Sequence, residues 1–161
     1  MAVEIGDKIK TQQILQRQQQ TQQLQLQCTN SDGWTPLHVA SNEGHTQLIE
    51  ILLEYGALID ARTKNFRTPL HIACIRGNFA CIQTLLMNGA DFDSKDIDGN
   101  TPAHFCAEYG HQESLRFLLT RHPTLFAKNF DGKSPIDVAC SHEILQTFED
   151  YIKSVKHYLY Q

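Results

Sequence analysis

An all-α solenoid, with short helix pairs stacked along one axis and extended fingers between them, is the fold class this sequence predicts. The first observation is self-similarity. "WTPLHVASNEGH" begins at Trp34, "RTPLHIACIRGN" at Arg67, "NTPAHFCAEYGH" at Asn100 and "KSPIDVACSHE" at Lys133. Thr35, Thr68, Thr101 and Ser134 stand at a constant step of 33 residues. The second is that the register holds downstream: Leu52-Leu53, Leu85-Leu86 and Leu118-Leu119 recur in step, and Gly56-Ala57 and Gly89-Ala90 follow the first two pairs. A period of this size marks a repeat array. The third is size, because one such helix pair is too short to bury its apolar face alone and must stack on a neighbour. Three full units and a degenerate fourth meet that need.

Taken in order, residues 1–28 are a glutamine-rich segment. Its core, "QQILQRQQQTQQLQLQ", has the composition of a disordered or marginally helical stretch, although glutamine is a fair helix former. Ile5, Ile9, Ile14, Leu15, Leu24 and Leu26 give a sparse apolar pattern. Three readings stand here: a flexible tail, a helix over part of 5–20 that caps the first unit, and a self-associating helix. No sustained heptad supports a coiled coil.

The array follows over 29–142, in repeats of about 30–62, 63–95, 96–128 and 129–142 onward. In the first, Thr35 is placed as an N-cap and Pro36 at the first helical position, where no N–H is needed. Leu37, Val39 and Ala40 supply a short helix that Gly44 ends. A second helix runs from Thr46 to about Tyr55 with Leu48, Ile49, Leu52 and Leu53 at helical spacing, and Gly56 closes it in the left-handed conformation. "ALIDARTKNFR" then carries turn formers and leads to Thr68 as an extended finger. Phe66 stands where Gly33, Gly99 and Gly132 stand in the other fingers, and "RHPTLF" replaces the third Gly-Ala pair. In the fourth unit Ser134, Ile136 and Asp137 replace Thr, Leu and His, as expected of a terminal cap. Residues 143–161 place Ile144, Leu145, Phe148, Tyr151, Ile152, Val155 and Leu159 on one helical stripe, a C-terminal helix that covers the last unit.

Composition narrows the function. With 14 Lys+Arg against 18 Asp+Glu in 161 residues, the net charge is −4, unlike a dedicated nucleic-acid binder with a basic domain. No apolar run reaches the ~18 residues of a membrane span, and "MAVEIGDKIK" lacks a secretory layout. Cys28, Cys74, Cys81, Cys106 and Cys140 form no C-x-x-C pair and read as reduced thiols in cytoplasm or nucleus.

At the T-P-L-H-x-A stretches, intact at Thr35 and Thr68 and changed only by Ala103 at Thr101, the sequence resembles the ankyrin-repeat family from about Asn30 to Ala139. The resemblance implies a gently curved solenoid of antiparallel helix pairs with hairpin fingers along one edge. It also implies that His38, His71 and His104 stabilise the turns.

Catalytic and metal chemistry find no support. His71 and Cys74 are three apart on a helix, a spacing a metal pair uses, but His104 and Cys106 differ in spacing and the fourth unit has Asp137. Cys74, Cys106 and Cys140 occupy small-residue positions, where cysteine packs as a small hydrophobe. A Cys–His nucleophile needs an oriented base and an oxyanion site, and "HQESL" is not the H-E-x-x-H zinc helix. The expectation is no enzyme, no metal and no cofactor.

Function in such arrays lies on the extended concave surface. By resemblance, the contact positions are the finger tips and the exposed ends of the first helices: Asp32, Trp34, Asn42 and Glu43; Arg62, Lys64, Phe66, Arg67, Ile75 and Arg76; Lys95, Ile97, Asn100, Glu108 and Tyr109; Lys128, Phe130, Lys133 and His142. Seven of the 14 basic residues fall in this set, diluted by Asp32, Asp98, Glu108 and Asp131. Aromatics and arginine are enriched at interface hot spots. The sequence thus predicts a non-catalytic adaptor, scaffold or stoichiometric regulator that binds a protein or peptide, with an acidic, partly apolar surface as the expected match. It predicts no membrane partner and a monomer, with self-association through the N-terminal segment as a variant. A nuclear or chromatin-associated regulator, with the glutamine segment recruiting partners, is the alternative.

Overall fold

The computed structural model describes residues 26–121, 124 and 126–159, with side chains through Val155. The readings of residues 1–25 fall outside these, as does part of "RHPTLF". Seven helices are seen among the described residues: α1 Pro36–Glu43, α2 Thr46–Glu54, α3 Pro69–Arg76, α4 Phe79–Met87, α5 Pro102–Glu108, α6 Gln112–Leu119 and α7 His142–Leu159. Within each unit the two helices pack together. Between units α1, α3 and α5 stack in one row, α2, α4 and α6 in a second, and α7 lies against α6.

Local chemistry sets the helix ends. Thr35, Thr68 and Thr101 are extended N-caps with ψ 166°, and each is followed by the proline whose ring fits the first turn. α3 closes at Gly77, left-handed at φ 70°. An added Cβ there would run into the ring of His111 from the next unit, so this glycine serves both the turn and the stack. Asn78 and His111, one step apart, reach back to the preceding unit: Asn78 Nδ2 donates to the Ser41 carbonyl at 2.8 Å and His111 Nε2 to the Ile75 carbonyl at 3.2 Å. They satisfy carbonyls that a helix end leaves unpaired.

The core is continuous. Leu37, Ile49 and Leu52 from the first unit join Leu70, Ile82 and Leu85, then Leu115 and Leu118, then Ile144 and Phe148 of α7. Each fully buried aliphatic contributes about 1.5–3 kcal/mol, summed across unit boundaries rather than within any one unit.

The fourth unit departs from the pattern. Between Ser134 and Val138 its first helix shrinks to a turn in which the Asp137 and Val138 N–H groups both donate to the Ser134 carbonyl. Cys140, expected to be packed, is exposed, while Cys74 and Cys106 are fully buried. The reason is geometric: beside the shortened helix Cys140 meets the preceding unit only at its edge, its N–H donating to the Ala107 carbonyl at 3.1 Å and its Sγ lying by Gly110.

Candidate protein-binding surface

The fingers are built alike. In each, an N–H and a carbonyl four residues apart close a hairpin: Asn30 to Trp34, Thr63 to Arg67, Asp96 to Asn100 and Asn129 to Lys133. Asx side chains brace three of them. The Asn30, Asp96 and Asn129 Oδ1 atoms each accept from backbone N–H groups two and four residues on, the turn chemistry that Asx residues favour. Finger to finger, Lys64 N–H donates to Asp32 at 3.0 Å, Ile97 to Asn65 at 2.9 Å and Phe130 to Asp98 at 2.9 Å. This ladder fixes the spacing of the tips.

The histidines tie fingers to helices. Thr68 N–H donates to His71 Nδ1 at 3.0 Å, and His71 Nε2–H donates to the Asn100 carbonyl of the next finger at 3.1 Å. His38 and His104 repeat this toward Arg67 and Lys133. The carbonyl must accept, so each ring is the neutral Nε2–H tautomer. Burial pushes all three pKa values down, that of His71 to about 4. These residues are structural, as the resemblance implied. Asp137 fills the same role without a next finger: Ser134 donates its N–H and hydroxyl to the carboxylate at 2.8 and 2.7 Å, which lowers the Asp137 pKa.

The contact residues expected from sequence separate into two groups. Glu43, Arg62, Lys64, Phe66, Arg76, Lys95, Glu108, Tyr109, Lys128, Phe130 and Lys133 are exposed, as are Asp32, Ile97 and His142; Trp34, Asn42, Arg67, Asn100 and Ile75 are half-buried. Several hold the scaffold as well. Arg67 Nε lies 3.3 Å from Asp96 Oδ2, a carboxylate whose side chain is 0% exposed. The Arg67 guanidinium also lies 5.1 Å from the Phe105 ring centre. Arg76 Nε donates to Asn42 Oδ1 at 2.7 Å, and Asn42 Nδ2 to Glu43 Oε1. Arg62 donates to the Lys95 carbonyl and Lys95 Nζ to that of Lys128, both at 3.4 Å, so these side chains step from finger to finger.

Along the fingers and the inner-helix ends an aromatic and cationic set faces solvent. Phe66 is 50% exposed, Tyr109 54% and Phe130 78%, with Arg62 over the Phe66 ring at 5.8 Å and Lys64, Lys95 and Lys128 on adjoining fingers. Two features were not found from sequence. Val39, on the inner helix of the first unit, is exposed although its unit resembles the others. Asp96 is the buried partner of Arg67, and its place in the "DIDGN" turn was the available signal.

Among the described residues no group of three or more His, Cys, Asp and Glu is placed to hold a metal ion, and no helix is long and apolar enough to cross a membrane. The Cys74 thiol is pushed up by burial, with Cys106 hydrogen-bonded beside it, the opposite of an activated nucleophile.

Comparison with known proteins places this geometry. The 2-5A-dependent ribonuclease of Mus musculus is 38% identical over 64 residues, 40% of this chain and 8% of that protein. The chain therefore spans less than a tenth of that relative's length. A family model described as Ankyrin repeats (3 copies) matches residues 1–96 and 88–153. Repeats of that family generally mediate protein–protein interaction. With helix pairs, finger ladder and bridging histidines all in register with that match, the chain belongs to the ankyrin-repeat family.

Proposed function

We propose that this protein is a non-catalytic interaction module, an adaptor, scaffold or stoichiometric regulator, that binds a protein or peptide across its finger tips and the inner-helix ends beside them. The observation that carries the reading is the exposed set of Phe66, Tyr109 and Phe130 beside Arg62, Lys64, Lys95 and Lys128. Large exposed aromatics cost free energy in water unless a partner covers them, and with arginine they are the usual hot-spot residues. The cations favour an acidic surface around an apolar centre and speed its encounter. Arg67 is set apart from this group, since removing it would leave Asp96 buried without its ion pair.

The test is affinity capture with the full chain beside a Lys64→Glu/Lys128→Glu variant and a Phe66→Ala/Phe130→Ala variant. Proteins held by the wild type should be lost with either variant, and capture should weaken as salt rises. Equal catches from all three would move binding away from the fingers and sink the proposal.

A further inference from the structure

The clefts between successive fingers differ at two positions that the repeat aligns. On one side of the cleft these are Trp34, Arg67 and Asn100; on the other, Thr63, Asp96 and Asn129. In the second and third clefts the pair is joined across the gap. Arg67 Nε lies 3.3 Å from Asp96 Oδ2, and Asn129 Nδ2 donates to Asn100 Oδ1 at 2.8 Å. In the first cleft the pair is Trp34 and Thr63. The Thr63 hydroxyl accepts from the Arg67 N–H of its own finger at 3.1 Å, and among the described residues no bond joins it to Trp34. The floor differs too, with buried Ile72 where the second cleft has the Phe105 ring beneath the Arg67 guanidinium. A smaller floor and an unbridged pair leave a cavity of about 330 Å³, at the small end of ligand sites.

We propose that this cleft receives one acidic residue of the bound protein or peptide, its carboxylate on Lys64 and Arg67 and its methylenes against the Trp34 ring and Ile72. The proposal rests on the finger-surface reading above and names what the first cleft selects. Charge chooses the occupant. Exposed Lys64 lines the cavity and its Nζ makes no ion pair or hydrogen bond among the described residues. Arg67 gives its Nε to Asp96, and its two Nη groups bond nothing among the described residues. Such cations bind carboxylates through charge-assisted hydrogen bonds, roughly twice as strong as neutral ones. Asp32 is the single acidic residue of the lining and is exposed; it matches the backbone N–H that an incoming residue also carries. A basic side chain would meet two like charges. A wholly apolar one would cover Lys64 without pairing it, at a cost in desolvation.

Trp34 is the only tryptophan of the chain, so its indole N–H resonance reports on this cleft. The experiment titrates the full chain with the capped tripeptide acetyl-Ala-Glu-Ala-amide, and with its Gln counterpart, while following that resonance. The Glu peptide should give a saturable shift in the millimolar range. Binding should be about tenfold weaker for the Gln peptide and for the Glu peptide on Lys64→Gln, and should weaken as salt rises. Ile72→Phe, which puts into the first cleft the ring found in the second, should abolish the shift. Lys64→Gln alters an exposed side chain and tests the proposal however the floor accepts Ile72→Phe. Equal binding of the two peptides, or no shift with the Glu peptide, would overturn the proposal. Both variants also enter the affinity capture described above. Proteins lost with Phe66→Ala/Phe130→Ala yet held undiminished by Ile72→Phe and Lys64→Gln would overturn the cleft alone and leave the finger surface standing. Equal catches from every variant would remove both.

Discussion

Phe66 holds its backbone at φ 58°, where the other fingers place Gly33, Gly99 and Gly132 at φ 81°, 79° and 76°. A bulky side chain in the left-handed region costs about 1–2 kcal/mol. The same finger is also the one braced by Thr63, whose hydroxyl accepts from Arg67 N–H alone, rather than by an Asx residue accepting two. This strain needs an offsetting role, and residues in such conformations cluster where ligands bind. Phe66→Gly should leave the urea-unfolding midpoint unchanged or raised. Relief of the strain is set against about 0.5–1 kcal/mol of extra glycine entropy and about 0.5 kcal/mol for the exposed Arg62 contact. Partner capture should fall in the same variant. A stability loss above about 1 kcal/mol would mean instead that Phe66 serves folding.

At the scale of the element, the unit of construction is a helix pair whose capping histidine belongs half to the next finger. Removing His71 leaves the buried Thr68 N–H without its partner, worth about 1–3 kcal/mol, and takes from the Asn100 carbonyl one of its two donors, the Asp96 N–H remaining. His71→Ala should therefore lower stability by about 3–5 kcal/mol in urea unfolding, with the cavity included. Asp137→Ala, at the exposed end of the array, should shift the midpoint far less, because its carboxylate bonds only Ser134. Equal effects would show that the histidine bridge between units carries no special share. Much of this element was legible beforehand. Thr-Pro and the closing glycine act within a few residues, and the 33-residue step carries them through the chain. The pairing of Arg67 with Asp96 was not legible, since it joins two fingers through the stack and rests on a distance no local pattern encodes. Val39 escaped notice for a similar reason: its exposure depends on what lies before its unit, not on the unit itself. Cys140 misled because its position in the repeat is a packed one, whereas beside the shortened helix it meets the preceding unit only at the edge of the stack.

For the whole molecule, the bridging histidines make stability a function of pH. His38, His71 and His104 each use Nδ1 as an acceptor and Nε2 as a donor, so a second proton would confront the threonine N–H. For His71, burial outweighs the raising pull of the Asn100 carbonyl and of Asp96, and nearby Arg67 acts in burial's direction. Between its unfolded value of 6.5 and its folded value of about 4, the unfolded chain binds a proton that the fold refuses. Stability is thus fully present above pH 6.5, falls progressively below it and loses this contribution near pH 4, about 3 kcal/mol from His71. His38 and His104 are lowered for the same reason and add with the same sign. Asp137, also lowered, weakens the fold in more acid solution still. Urea midpoints at pH 7.5, 6.5, 5.5 and 4.5 should therefore decline steadily from the second value onward, and His71→Gln should flatten that decline while starting from a lower midpoint. A midpoint constant down to pH 5 would mean the histidines do not hold their neutral, bridging state in the folded chain, and the coupling of units through them would have to be abandoned.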